Sequence, residues 1–246
     1  MDKAAAIVME GLTKRFRERT AVDGLDLTVG QGEIFALLGQ NGAGKTTTIR
    51  MLCGLLVPTA GDARLMGHSV VGEVETVRAL INISPQETAV AAKLSVRENL
   101  ELIARLYGAG KKQAAARAGE IMEEFGLADR AKDKAKSLSG GLQRRLSIAM
   151  ALISRPRILF LDEPTLGLDV RARRDLWKLV ESLKGQVTVV LTTHYLEEAA
   201  ALADRIGIMH GGRLQALGTL EEILAATGRP TLEDAFLALT DEEVPA

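Results

Sequence analysis

The segment that most constrains the fold is residues 34–56, where an apolar run leads through a glycine-rich turn into a helical pattern. Residues 34–38 are all apolar and are followed by Gly39, which is typical of a buried strand. Residues 46–56 predict a helix, because one side carries apolar residues at helical spacing: Ile49, Leu52, Cys53 and Leu56. A strand, a turn and a helix in this order begin an α/β unit.

The turn reads Gly-Gln-Asn-Gly-Ala-Gly-Lys-Thr and matches the P-loop pattern G-x-x-x-x-G-K-[ST]. Gly42 and Gly44 let the backbone curl so that its N–H groups face phosphate oxygens, and the helix that follows adds its positive end. Lys45 can reach the outer phosphates, and the Thr46 hydroxyl can bind Mg²⁺. An incidental glycine-rich turn is the alternative, but the flanking strand and helix favour a nucleotide site. Its candidate residues are Gly39, Asn41, Gly42, Ala43, Gly44, Lys45, Thr46 and Thr47.

A second apolar run, residues 158–161, ends in the adjacent carboxylates Asp162 and Glu163. The carboxyl ends of strands are where open α/β sheets bind ligands. Asp162 is placed to hold Mg²⁺ directly or through water, and Glu163 can orient and deprotonate an attacking water. Taken alone, this strand end could equally be structural. Together with the P-loop upstream it predicts hydrolysis of a nucleoside triphosphate.

The remaining patterns predict a parallel-sheet core with a helical insertion. Further strand patterns occur at residues 7–12, 25–29, 187–191, 206–210 and 213–217. The last two flank Gly211 and Gly212, which suit the turn of a β-hairpin. Helices are predicted at residues 170–183 and after Thr231, which forms a capping-box pattern with Asp234.

We expect one domain, residues 1–246, in which residues 1–86 and 153–246 form the core and residues 87–152 form a helical lobe. Its hydrophobic and charged fractions, 47% and 26%, are those of a globular protein, and a net charge of −1 gives no global basic field for nucleic acid. Cys53 is the only cysteine, so no internal disulfide can form. No run approaches the ~18 apolar residues of a membrane span, and the N-terminus does not resemble a signal peptide. We therefore expect a cytoplasmic protein that reaches a membrane only through a partner.

A further motif, Ser-Leu-Ser-Gly-Gly-Leu-Gln-Arg-Arg at residues 137–145, lies between the P-loop and the acidic strand. Ser139, Gly140 and Gly141 precede a helical run and so form a second anion cradle. With this motif the chain strongly resembles the ATPases of ABC transporters, whose hallmark is an LSGG-type signature at this place. Leu142 stands where the commonest family sequence has glutamine.

The resemblance implies a P-loop NTPase fold with a mostly parallel sheet, an antiparallel β part at the N-terminus and the helical lobe. It also implies a head-to-tail dimer in which the signature of one subunit closes on the ATP held by the P-loop of another. Gln86 would be a Mg²⁺ or water ligand, and His194 would contact the γ-phosphate. Residues 166–169 would cross the dimer interface, and Phe16 would stack on adenine. From the residues alone, Gln86 could instead be a polar loop residue and His194 a structural histidine. Asp169 could be a helix N-cap, and Phe16 could be a core phenylalanine.

Residues 192–199 and 231–240 resemble the type-2 exporter branch of that family, and residues 94–100 match its segment facing the membrane partner. The resemblance implies an ATP hydrolase that uses ATP and Mg²⁺, drives a separate integral membrane permease and pairs with a copy of itself or another ATPase subunit. It would lie at the inner face of the cell membrane and bind no nucleic acid. The alternative is a soluble ABC ATPase acting on ribosomes, DNA or cofactor assembly, although the chain carries neither a second ATPase unit nor a long coiled-coil insertion.

Overall fold

A computed structural model describes residues 4–240, which form ten β-strands and nine α-helices. The strands are β1 (Ala5–Phe16), β2 (Arg19–Gly30), β3 (Ile34–Leu38), β4 (Ala60–Leu65), β5 (His68–Ser69), β6 (Ile81–Ser84), β7 (Ile158–Asp162), β8 (Thr188–Thr193), β9 (Arg205–His210) and β10 (Arg213–Gly218). The helices are α1 (Lys45–Leu52), α2 (Val74–Leu80), α3 (Val96–Leu106), α4 (Lys111–Glu124), α5 (Gly140–Leu152), α6 (Val170–Ser182), α7 (Leu196–Leu202), α8 (Leu220–Thr227) and α9 (Leu232–Thr240).

Two sheets organise these elements. The larger sheet has the order β10-β9-β3-β8-β7-β6, and its pairs are parallel except for the β9–β10 hairpin. The smaller sheet is antiparallel, with the order β2-β1-β4-β5. The predicted α/β fold, with a mostly parallel sheet and an antiparallel N-terminal part, is confirmed. The hairpin is also confirmed, since His210 pairs with Arg213 across the two glycines.

The central strands of the larger sheet are buried on both faces, and every residue of β3, β7 and β8 is buried. Because side chains alternate along a strand, Phe35 and Phe160 pack toward the smaller sheet and α1, whereas Leu38 and Leu161 pack toward the other helices. Residues 87–152 form α3, α4 and α5. Their apolar side chains pack in the same hydrophobic cluster as Leu38 and Leu161. The helical lobe therefore packs directly on the sheet that ends in the acidic residues.

Several element boundaries differ from the sequence patterns. The helix predicted for residues 46–56 ends at Leu52, because the chain reverses at Gly54, whose φ of 63° is left-handed. The two N-terminal strands extend well beyond the predicted segments, because β1 and β2 pair with each other over nearly their whole length. Within the described residues, no helix is long and apolar enough to cross a membrane.

Candidate nucleotide site

The carboxyl ends of β3, β7 and β8 meet beside the P-loop at a cavity of about 550 Å³. Because these strands are parallel neighbours, the residues that follow them converge although they are far apart in the chain. The cavity is lined by Phe16, Arg19, Ala21, Gln40, Asn41, Gly42, Gly44, Lys45, Thr46, Thr47, Gln86, Glu163, Leu166 and His194.

The P-loop needs its glycines for two different reasons. Gly42 and Gly44 adopt φ angles of 87° and 108°, which side chains rarely allow. A Cβ atom at Gly44 would also lie 2.5 Å from the backbone oxygen of Ala21. Gly39 and Ala43 do not line the cavity: Ala43 is buried, and Gly39 contributes its carbonyl to the loop interior.

The Lys45 ammonium lies inside the loop that precedes it. Its side chain is only 5% exposed, and Nζ donates to the carbonyl oxygens of Gly39 at 2.6 Å and Gln40 at 3.2 Å. A buried ammonium with oxygen partners on one side and an open cavity on the other is suited to binding phosphate oxygens.

Asp162 links the P-loop helix to the neighbouring strand. Its Oδ1 accepts hydrogen bonds from the Thr46 hydroxyl at 3.2 Å and from the Thr192 hydroxyl at 2.5 Å. The Thr192 hydroxyl in turn accepts from the backbone N–H of Glu163 at 3.1 Å. One threonine therefore holds both consecutive acidic residues.

Glu163 is both strained and enclosed. Its φ of 48° lies in the left-handed region, an unusual conformation that is frequent at active sites. The carboxylate is 7% exposed, with Oε1 3.4 Å from Lys45 Nζ and Oε2 2.7 Å from His194 Nδ1. Two side chains from different elements thus hold this carboxylate at the cavity wall.

Gln86, His194 and Phe16 also lie at the cavity. Gln86 is exposed just beyond β6, and the His194 side chain is 32% exposed just beyond β8. Phe16 is 46% exposed at the end of β1, which excludes the alternative that it is a core residue. Lys14 Nζ lies 5.3 Å from the centre of the Phe16 ring.

The signature residues lie outside this cavity. Ser139 caps α5, its hydroxyl accepting from the Leu142 N–H at 3.4 Å, and it is exposed together with Gly140. Gly141 lies so close to α6 that a Cβ atom there would be 2.9 Å from the Cβ of Ala172. Asp169 caps α6 through a 2.9 Å bond from Ala172 N–H, so its predicted role as an N-cap is confirmed.

Sequence reasoning missed four lining residues, Arg19, Ala21, Gln40 and Leu166, and the bridging residue Thr192. Gln40 lies inside the P-loop motif and Leu166 inside residues 166–169, so these two motifs carry the signal for both positions. Thr192 directly precedes the Thr193–His194 pair, but nothing local shows which acidic residues it contacts.

Arg19 follows Phe16 across a tight hairpin, and its guanidinium donates to the Gly42 carbonyl at 3.3 Å.

Comparison with known proteins shows the family. The family sequence model described as "ABC transporter" matches residues 22–166. The daunorubicin resistance ATP-binding protein DrrA3 of Streptomyces coeruleorubidus is 49% identical over 91% of this chain and 71% of its own length. The Nod factor export ATP-binding protein I of Paraburkholderia xenovorans is 39% identical over 98% and 81%.

Among solved structures, an ATP-binding subunit of an ABC transporter superposes with a TM-score of 0.84 at 30% identity. The match covers 96% of this chain and 100% of that one. The chain therefore belongs to the ABC transporter family, in which it resembles the ATP-binding proteins of drug-resistance and export systems.

Proposed function

We propose that this chain is the motor subunit of an ABC exporter, binding ATP with Mg²⁺ and hydrolysing it to drive a separate membrane permease. The observation that carries the proposal is the convergence of Lys45, Glu163 and His194 on one cavity at the carboxyl edge of a parallel sheet. These are the groups that binding and hydrolysis of a terminal phosphate require.

The side chains divide into binding and catalytic groups. The P-loop N–H groups and Lys45 bind the phosphates, and the exposed Phe16 ring stacks on the adenine. Glu163 orients the attacking water and accepts its proton. His194 is bonded to Glu163 and lines the same cavity, so it would contact the outermost phosphate and fix the direction of the carboxylate.

Three residues fit Mg²⁺. Thr46 and Asp162 are already hydrogen-bonded to each other, and Gln86 lines the same cavity. Hydroxyl, carboxylate and amide oxygens are hard ligands of the kind Mg²⁺ takes alongside water and substrate phosphates. When bound, the ion would neutralise charge on the phosphates.

The position of the signature supports a dimer. Ser139 and Gly140 are exposed at the start of a 13-residue helix, yet neither lines the cavity of its own chain. The first N–H groups of a helix lack partners within that helix and favour anions. We infer that this cradle binds the ATP of a second subunit, in a head-to-tail arrangement with two nucleotides at the interface.

Export is supported by the relatives, whose names refer to drug resistance and to Nod factor export. Both are named as ATP-binding proteins, which fits a transporter whose membrane part is a separate permease chain. The same likeness disfavours a soluble ABC ATPase that acts on ribosomes or DNA. Purification of the tagged chain from detergent-solubilised membranes should recover an integral membrane protein. Recovery of ribosomes or DNA in its place would favour the alternative.

The size of Glu163→Gln in solution tests the dimer. This variant keeps the shape of the site but cannot deprotonate water, so ATP with Mg²⁺ should convert it from monomer to dimer in light scattering. Adding Ser139→Arg should abolish the conversion while ATP binding persists, whereas Ser182→Arg, at the exposed far end of α6, should not. A Glu163→Gln protein that binds ATP and stays monomeric would contradict the proposed arrangement.

A further inference from the structure

We propose that Arg144 is a positioning residue for ATP hydrolysis, which holds the backbone on both sides of Glu163 and just before Gln86. This role rests on the proposed assignment of Glu163 as the base. Arg144 lies on α5, in the first turns of the helix that Ser139 caps.

The guanidinium of Arg144 bonds to three backbone carbonyls from two separate segments, the end of β7 with the residues after it and the residue after β6. Nε donates to the oxygen of Pro164 and Nη2 to the oxygen of Asp162, both at 2.8 Å. Nη1 donates to the oxygen of Pro85. Arg144 is only 4% exposed, so its contacts are shielded from water.

These contacts bracket the strained residue of the site. Asp162 and Pro164 are the neighbours of Glu163, whose left-handed φ of 48° needs support from its surroundings. A planar fork of donors can hold two carbonyls in fixed relative positions, which a flexible ammonium does less well. Arg144 therefore fixes where the Glu163 carboxylate points.

The charge of Arg144 is retained within the fold. Burial lowers the pKa of its guanidinium to about 10, opposed by the nearby carboxylates of Asp162 and Glu198. The group remains protonated at neutral pH, so all three bonds are charge-assisted.

The same helix makes a second contact with the strand before Gln86. One turn after Arg144, the Ser147 hydroxyl lies 2.9 Å from the Ser84 hydroxyl at the end of β6, and both residues are buried. A displacement of α5 would thus move the backbone at Pro85 and Pro164 together. Arg144 connects the helix that presents Ser139 to the catalytic carboxylate of its own chain.

Arg145 provides a matched control. Its guanidinium bonds to Asp175 on α6 at 3.1 Å, and its side chain is 21% exposed. Arg144→Lys and Arg145→Lys therefore make the same substitution at adjacent positions of one helix, but only the first removes the contacts around Glu163.

The test compares steady-state ATP hydrolysis, fluorescent-ATP binding and thermal midpoints for the wild-type chain and both variants. Arg144→Lys should lower kcat by roughly tenfold or more, because small misplacements of a catalytic group have large effects, while ATP affinity stays within about threefold. Arg145→Lys should stay within about twofold of wild type in both quantities. In the Glu163→Gln background, Arg144→Lys should lower the residual rate much less than it lowers the wild-type rate, because the main group that it positions is already inactive.

Arg144→Gln, which keeps an amide donor without the charge, is the second variant. A wild-type kcat per folded molecule in Arg144→Lys would overturn the proposal, as would failure of both Arg144 variants to fold, which would show a purely structural role. If wild type and Arg145→Lys bind ATP without hydrolysing it, the proposed function fails instead, and the positioning role that rests on it fails too.

Discussion

Nδ1 of His194 lies 2.7 Å from Oε2 of Glu163, so the residue after β8 and the residue after β7 form one hydrogen-bonded pair at the cavity. The adjacent parallel strands deliver both side chains to the same edge. Since the other carboxylate oxygen lies 3.4 Å from Lys45 Nζ, the orientation of Glu163 depends on both partners.

His194→Ala should lower kcat for ATP hydrolysis by about 100-fold, the lower range for loss of a group involved in proton transfer. The affinity for ATP should change little, because the P-loop contacts remain. Steady-state kinetics and equilibrium binding measure the two quantities. His210→Ala, a substitution outside the cavity, should leave both unchanged, and equal losses in the two variants would contradict the role of His194.

Thr192→Val should lower kcat by about tenfold, equivalent to ~1.4 kcal/mol, because it removes the hydroxyl between Asp162 and the Glu163 N–H. Valine preserves the shape of the buried strand. Thr188→Val, at the opposite end of β8, removes a hydroxyl that accepts from the Gly32 N–H far from the nucleotide. It should reduce stability without reducing kcat. The comparison is made by measuring the kcat for ATP hydrolysis of both variants per folded molecule.

Phe16→Ala should weaken ATP binding by ~1–3 kcal/mol, the usual contribution of a base stacked on an aromatic ring. At saturating ATP its kcat should stay near that of wild type, since stacking on the base contributes to binding rather than to the chemical step. Phe16→Tyr keeps the ring and should bind normally. Titration with fluorescent ATP distinguishes these outcomes, and unchanged affinity in Phe16→Ala would exclude stacking.

Glu198→Gln should change how stability depends on pH. Burial raises the pKa of the Glu198 carboxyl, an effect that the Thr193, Thr165 and Trp177 side chains offset only in part. The folded protein therefore keeps a proton that the unfolded chain loses above its ordinary pKa of ~4.3. The contribution of this group is complete below that pH and is lost as pH rises toward the folded-state pKa.

Urea denaturation between pH 4.5 and 8 measures this effect. The free energy of unfolding of Glu198→Gln minus that of wild type should increase with pH, because glutamine has no proton to lose. Glu197→Gln, on the exposed neighbouring residue, should show no such trend. A difference that stays constant across the range would mean that Glu198 does not keep its proton in the fold.

Much of the site was predictable from sequence because its parts are contiguous. The P-loop residues 39–46 and the strand ending at Asp162 and Glu163 each carry their chemistry within a few positions, with the flanking elements that such chemistry needs. Parallel pairing of these strands is typical of α/β architecture, and the observed order β3-β8-β7 brings His194 to the same edge. For these two segments, the local sequence pattern and the observed fold agree.

What sequence alone determined is a set of local groups suited to binding a phosphate, because backbone curvature, helix ends and strand ends are set by near neighbours. Tertiary structure decided how those groups are held. Thr192 bridges two residues that lie 29 and 30 positions away, and Arg144 reaches Pro85 across 59 positions. Such contacts arise when buried polar groups find hydrogen-bond partners in the packed interior, and no local periodicity encodes them. The strained backbone of Glu163 is likewise a product of packing rather than of its own sequence.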